Sequence, residues 1–531
     1  MDEIFLIESR TMQVLLIPIV LIMFFCGPPK PTSPPQLQNP EESRLHSMDS
    51  MSLIKNLDSE NIPLINQSIL ELASRKEKSI IPKLRNFLTQ SKNTSLLSTS
   101  LLALGDLEDR ESTQLIASFA NGSQGVSQSV VVDALGRMKD PSGAKAILPL
   151  LDSPIHSLRL QVVESLSLMK ASGSGEEVLN LARSNTDPEK AKTYAMALGK
   201  LQFKPAENYL MSLAENSPPS PTLAASYLAL GRIQSRKAIP NLVEALGNEF
   251  EKGRENSALA LIMIKDDSCL PLIYPYLKSK SSELRYLAAS VIVEIPRDSS
   301  VREAAKLLEG NDSVFYGVSS YILGRMKARS FAPKIVEVLK DRNTPEREII
   351  AQSLGWLGDR NSIPALIEVL REKEGEGRYG AAWALGILEA KEAFSDLAEA
   401  TASKDYKLKN LAIESLGMLK MEEGIPVLEK LIDENKNNSI FAMKSIANIQ
   451  SDRARLSLEN FAKSEDPILF HTAIEMLGKR KDETSIPFLM KLLKEDSSSK
   501  QKLIFNSLSS ITGKKLYSTA DWIQWYESSG K

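Results

Sequence analysis

One phrase recurs along this chain every 30 to 32 residues, and no other feature restricts the fold so severely. Leu-Gly, followed one residue later by Leu, Ile or Met, places glycine at 105, 136, 199, 231, 324, 355, 386 and 417, and Gly478 continues the series. Ala73, Ser167, Ile262, Val293, Ala447 and Ser509 occupy the positions where the period skips its glycine, which makes fifteen repeats. Self-similarity at a fixed period of this size marks an array of small supersecondary units rather than a globular core. It also explains how 531 residues, well beyond the ordinary domain length, can form one architecture.

A second column supports the first. Nine residues after the marker position stand Pro82, Pro240, Pro271, Pro333, Pro364, Pro426 and Pro487. With 27 prolines in 531 residues, fifteen repeats would place fewer than one there by chance. Proline suits the first turn of a helix, where its missing N–H has no intrahelical partner to lose. A helix A is therefore expected to start at this column, with apolar residues such as Leu366 and Leu370, or Leu242 and Leu246, on one face.

Helix B is expected just before the marker. Small or apolar residues at −5, −4, −1 and +2, such as Ala381, Ala382, Leu385 and Leu388, share one side of it. Glycine near its end lets a neighbouring backbone come close and eases the chain into the turn. A pair of about 31 residues cannot bury its apolar face alone, whereas stacked copies bury a continuous core. The expected fold is all-α, an α-solenoid of about fifteen stacked helix pairs.

The segments REIIAQSLGWLGDRNSIPALIEVL (347–370) and RYGAAWALGILEAKEAFSDL (378–397) resemble HEAT repeats of the short bacterial, PBS-lyase HEAT-like type. The resemblance runs over 51–511. It implies a scaffold for protein contacts, while a minority of the family are enzymes such as bilin lyases. The residues 512–531 break the pattern and resemble the Trp-containing terminal segment of other bacterial HEAT chains, with Ser518 and Asp521 at capping-box spacing. Trp522, Trp525 and Tyr526 are expected to cover the open end of the stack; stacking a ligand is the alternative role for the two tryptophans.

The amino-terminal region has a different character. Val14 to Phe25 is a run of twelve uncharged apolar residues, short for a bilayer span and suited to the h-region of a signal peptide. Cys26 follows at once, and six prolines between 28 and 40 make an extended tether. This order resembles a bacterial lipoprotein precursor, which implies cleavage and lipidation at Cys26. Phe25 departs from the small residue usual before such a cysteine, and Met12 is an alternative start. A non-lipidated signal or short membrane anchor, and an ordinary cysteine in an unexported chain, are the other readings of Cys26. The expected division is thus 1–26 signal, 27–50 tether, 51–511 repeats and 512–531 terminal cap, located in the bacterial cell envelope with membrane contact only through the lipid.

Composition narrows the function. Sixty-five Lys and Arg against 67 Asp and Glu leave a formal charge of −2, so no global attraction draws the chain to nucleic acid. Two cysteines and three scattered histidines supply neither a disulfide framework nor a His-rich metal site. Cys269 is expected in the core. The formal GxGxxG at 375–380 has no strand before it, so the context that gives the motif a dinucleotide is missing. Neither a catalytic constellation nor a cofactor is expected, and the chain is read as a non-enzyme that binds a protein or peptide. A bilin-lyase-like ligand-transferring enzyme and a mechanical envelope spacer are the alternatives.

Two side-chain columns remain. A basic residue lies eight before the marker in Arg159, Arg254, Arg285, Arg347, Arg378 and Lys409, read as a structural tie to turn carboxylates or carbonyls rather than an anion-binding ladder. Basic residues at +1 (Arg137, Lys200, Arg232, Arg325, Lys479) are read as complements to the negative end of helix B. Positions −7, −3 and +1 lie about 160° from the core side of helix B at 100° per residue. Tyr286, Tyr321, Trp356, Tyr379 and Trp383 all fall there within four repeats. In HEAT-like solenoids helix B lines the concave surface, so these five are expected to form an exposed aromatic strip for a partner; rings lying across the gaps between helices are the other reading.

Overall fold

The computed structural model describes residues 45 and 48–529, other than 435–437 and 496–497. The expected signal, Cys26 and most of the tether lie outside the described residues. Among the described residues every regular element is a helix and no strand occurs. No described helix is long and apolar enough to cross a membrane. The chain is an α-solenoid whose described residues divide into two compact units parting between Pro275 and Tyr276.

In the first unit the helices B are Ile62–Ser74, Thr94–Asp106, Gln128–Met138, His156–Leu168, Pro188–Lys200, Pro221–Arg232 and Glu251–Ile264. In the second they are Ser282–Glu294, Tyr316–Arg325, Arg347–Leu357, Gly377–Ile387, Tyr406–Met418, Ser439–Asn448, Pro467–Arg480 and Ser498–Thr512. Within each unit every helix B packs on the next, and helices A such as Ile81–Gln90, Glu207–Asn216 and Ile363–Leu370 pack on the helix B that follows. All fifteen marker residues lie within the last few residues of a helix B.

The glycine column has a steric cause. A Cβ built on Gly231 would stand 2.4 Å from the Cα of Ala260, and one on Gly417 would stand 2.7 Å from the Cα of Ser445. The residue met is always the one two before the next marker, and it is itself Ala or Ser. Three serines at that place fix the contact with a hydrogen bond to the preceding helix: Ser165, Ser415 and Ser507 donate to the carbonyls of Val132, Ala382 and Ile474 at 2.8–2.9 Å, whereas Ser353 donates to Ile349 in its own helix. Small residues on both sides let two helix backbones approach, and the hydroxyl offsets its own desolvation by donating across the seam.

The turn from B to A obeys a rule the composition conceals. The residue three after the marker adopts the left-handed conformation at Lys76, Glu108, Lys139, Lys170, Gln202, Gln234, Lys265, Lys327, Gly358, Glu389, Lys420 and Lys481. Glycine occupies this costly backbone position only once in those twelve turns. Where Pro296 stands at the same offset its ring forbids positive φ, and Ile295 ends its helix at φ −123, ψ 66 instead. Next comes a one-turn 3₁₀ segment, often capped by Asp; Asp140, Asp266, Asp359 and Asp482 each accept from the backbone N–H two residues on. The proline column then occupies the first positions of helix A, as at Pro82, Pro240, Pro333 and Pro364.

Arginine at −8 closes the other turn. Arg159, Arg254, Arg285 and Arg378 each donate to backbone carbonyls five or six residues earlier, at 2.8–3.3 Å. These are the carbonyls between helix A and helix B, which have no other helix turn to bond them. The tie is therefore made mainly within a repeat. Cys269 is a core residue, and burial pushes its thiol up to about 11. Helix Thr519–Ser528 packs on Ile486–Glu495; Ser518 caps it by accepting from Asp521 N, and Trp522 is wholly buried with its indole N–H on the Leu516 carbonyl. Trp522 is thus not free to stack on a ligand.

Candidate functional site

The five aromatic residues all belong to the second unit, and four of them make one chain of edge-to-face contacts. Ring centroids lie 5.9 Å apart for Tyr286 and Tyr321, 5.5 Å for Tyr321 and Trp356, and 5.5 Å for Trp356 and Trp383. The alternation of −7, −3, +1 and −3 along four consecutive helices B moves each ring one seam onward. Each pair adds about 0.5–1.5 kcal/mol beyond the area it buries. The Arg325 guanidinium lies 5.9 Å from both the Tyr321 and the Trp356 rings and pairs with Glu294 at 3.5 Å.

The expected exposed strip needs correction at one end. Tyr286 is 8% and Tyr321 2% exposed, so both rings fill the seams between helices; Trp356 and Trp383 are half-buried. Burial pushes the Tyr321 phenol up to about 12. The Tyr286 hydroxyl donates to Glu346 at 2.6 Å, and burial followed by that carboxylate's charge raises its pKa well above the ordinary value. Arg285 holds the other Glu346 oxygen at 3.1 Å. A Cβ built on Gly317 would come 2.1 Å from Glu346 Oε2 and 2.7 Å from the Tyr286 hydroxyl oxygen, so glycine there leaves room for the bond.

Tyr379 stands apart from the ladder. Its hydroxyl donates to Asp405 at 2.6 Å, and that bond, with burial, pushes the phenol up to about 12. Lys407 lies 4.3 Å over the Tyr379 ring while bonding Glu348 at 2.7 Å. Burial raises Glu348 above the ordinary carboxylate value, and Lys407 opposes the shift. This cluster is satisfied internally and ties helix Tyr406–Met418 to Arg347–Leu357.

Sequence reasoning passed over Ile387. It stands at +1, one helical turn beyond Trp383, and is 42% exposed. Its signal was present, since it holds the position of Trp356 in the next repeat, but a search for aromatic residues does not find it. On the neighbouring helix, at −3 and +1, lie the half-buried Glu414 and Met418. Glu414 has no hydrogen bond or ion pair among the described residues, and burial raises its pKa against the pull of Lys444. The surface thus runs from Trp356 through Trp383 to Ile387, with a carboxylate at its edge. Among the described residues no group of three or more His, Cys, Asp and Glu is placed to hold a metal ion.

Comparison with known proteins bears on the fold. The HEAT repeats family matches residues 175–262, 305–386, 332–417, 363–440 and 425–508, together more than half of the chain. Yeast importin-beta (Kap95p) is a similar solved structure, with a TM-score of 0.50 at 12% identity over 93% of this chain and 80% of that one. The complex of CpcE and CpcF of phycocyanin lyase from a Nostoc species matches with a TM-score of 0.28 at 18% identity, over 48% of this chain and 92% of that one. At 12% identity the likeness to importin-beta concerns the fold alone. No curated protein matches the chain.

Proposed function

Because this chain belongs to the HEAT repeat family, whose stacked helices offer surface rather than an enclosed cavity, we propose that it is a non-catalytic scaffold that docks a protein or peptide partner on the helix-B face of its second unit. One observation carries the reading. Trp356, Trp383 and Ile387 form an apolar surface that packing within the unit leaves partly uncovered, backed by the buried rings of Tyr286 and Tyr321 in the same ladder of contacts. Large aromatic anchors on a rigid support are the usual content of interface hot spots. A photo-crosslinking residue at Ile387, in cells expressing the full chain, should give a discrete adduct. The same residue at Glu337, on the exposed side of helix Ala332–Lys340, should not. Adducts of equal yield at both sites, or at neither, would remove the basis for a docking face here.

We further propose that the chain is exported and lipid-anchored in a bacterial envelope, touching membrane only through that anchor. The apolar run 14–25, Cys26 and the proline-rich 28–40 support this. Mass spectrometry of the mature amino terminus should find diacylglycerol on Cys26; an unmodified chain starting at Met1 or Met12 would refute it.

A further inference from the structure

Basic residues one after the marker find acids close by. Arg137 pairs with Asp106 at 3.0 Å and Arg325 with Glu294 at 3.5 Å, both at the same offset on the preceding helix B. Lys200 bonds Glu164, which stands at −3 on the preceding helix. Lys479 pairs with Glu475 in its own helix at 2.6 Å. Arg232 breaks the rule. The two offsets that supply acids hold Lys200 and Met196 on its preceding helix, and four residues back in its own helix stands Leu228. Arg232 makes no hydrogen bond or ion pair among the described residues. Its side chain nevertheless leans over the preceding helix, with Cδ 3.5 Å from a Cβ built on Gly199.

The setting is apolar and partly covered. Met196, Leu228, Leu259 and Met263 occupy −3 or +1 on three consecutive helices B of the first unit, and each is half-buried, as Arg232 is. A half-buried guanidinium keeps less water than a surface one and gains no ion pair in return; only the charge of Glu164, itself bonded to Lys200, acts on it from nearby, so an external carboxylate would find a desolvated cation with its hydrogen-bond donors free. Methionine and leucine beside it would take apolar side chains of varied shape. We propose that the helix-B face of the first unit around Arg232 binds an extended peptide segment in which an acidic side chain is flanked by apolar ones, the carboxylate meeting Arg232. The charge complementarity is specific to this place, and it does not depend on the aromatic face of the second unit.

Titration of the full chain with fluorescein-labelled Ser-Leu-Glu-Leu-Glu-Leu-Ser tests this. The peptide should bind, weaken as salt is raised, and lose about tenfold or more in affinity with Arg232→Leu, the loss expected for one charge-assisted bond. The Gln counterpart should bind as weakly to the wild type as the Glu peptide does to the variant. Arg232→Leu should also leave the thermal midpoint level or raised, whereas Arg137→Leu, which removes a paired cation, should lower it. Equal binding of the Glu peptide by wild type and variant, or of both peptides by the wild type, would overturn the proposal. So would displacement by equimolar inorganic phosphate, which would reveal a phosphate site, or a fall in midpoint for Arg232→Leu as large as that for Arg137→Leu.

Discussion

A β-carbon placed on Gly231 would stand 2.4 Å from the Cα of Ala260 and 2.7 Å from its Cβ. Helix propensity alone would favour Gly231→Ala by about 1 kcal/mol. Overpacking costs about 1–3 kcal/mol, and a clash against backbone cannot be relieved by rotating a side chain. The clash should win. Amide protons of Pro221–Arg232 and Glu251–Ile264 should exchange about tenfold faster in the variant; slower exchange would show that the seam opens without cost.

The left-handed turn residues offer the reverse case. Gln234 ends its helix at φ 58, a conformation that costs a non-glycine residue about 1–2 kcal/mol. Gln234→Gly should raise local stability by about 1 kcal/mol, and Gly358→Ala, at φ 67, should lower it by a similar amount. Hydrogen exchange of the flanking helices measures both. Destabilisation by Gln234→Gly would mean that unfolded-chain entropy outweighs the strain.

Arg347 and Glu372 form a two-pronged pair at 2.7 and 2.8 Å, with side chains only 5% and 10% exposed. Arg347→Ala would leave the buried Glu372 carboxylate with only the exposed Arg342, 3.6 Å away, and should cost up to about 3 kcal/mol. The pair also sets a pH dependence. The Arg347 bond holds Glu372 below its ordinary value despite burial. Its contribution is therefore full above the unfolded carboxylate value of about 4.3 and is lost as pH falls from there through the depressed folded value. Melting curves between pH 7 and 3 should show Glu372→Gln with a flatter acid limb than the wild type; parallel limbs would remove the assignment.

Tyr321 and Trp383 lie in one ladder but should respond differently. Tyr321→Ala empties a closed seam and should cost about 3 kcal/mol or more. Trp383→Ala removes a half-buried ring and should cost clearly less, while abolishing crosslinking from Ile387. Chemical denaturation with crosslinking of the same variants separates the two effects. Equal stability losses with crosslinking retained would make Trp383 a packing residue.

Much of the repeat was legible because its physics is local in sequence. The glycine and proline columns report where helix B ends and helix A begins, and the structure places those residues at those ends. The left-handed residue at +3 escaped notice because Lys, Gln and Glu carry no turn signature; only its constant offset could have revealed it. The basic residues at +1 stand in the last turn of helix B, as their offset from the marker implies, but the acids that Arg137 and Arg325 reach on the preceding helix depend on the stacking.

Period and helix polarity follow from the order of residues because each helix pair finds its packing partner about 31 positions away, at a separation the sequence itself repeats. Exposure does not follow in this way. Tyr286 and Tyr321 are covered while Ile387 is open, because coverage depends on which rings of three successive helices reach the same seam. The loneliness of Arg232 has the same origin: an ion pair needs two side chains to meet across a seam, and a column of like charges cannot say which member lacks its acid until the helices are stacked.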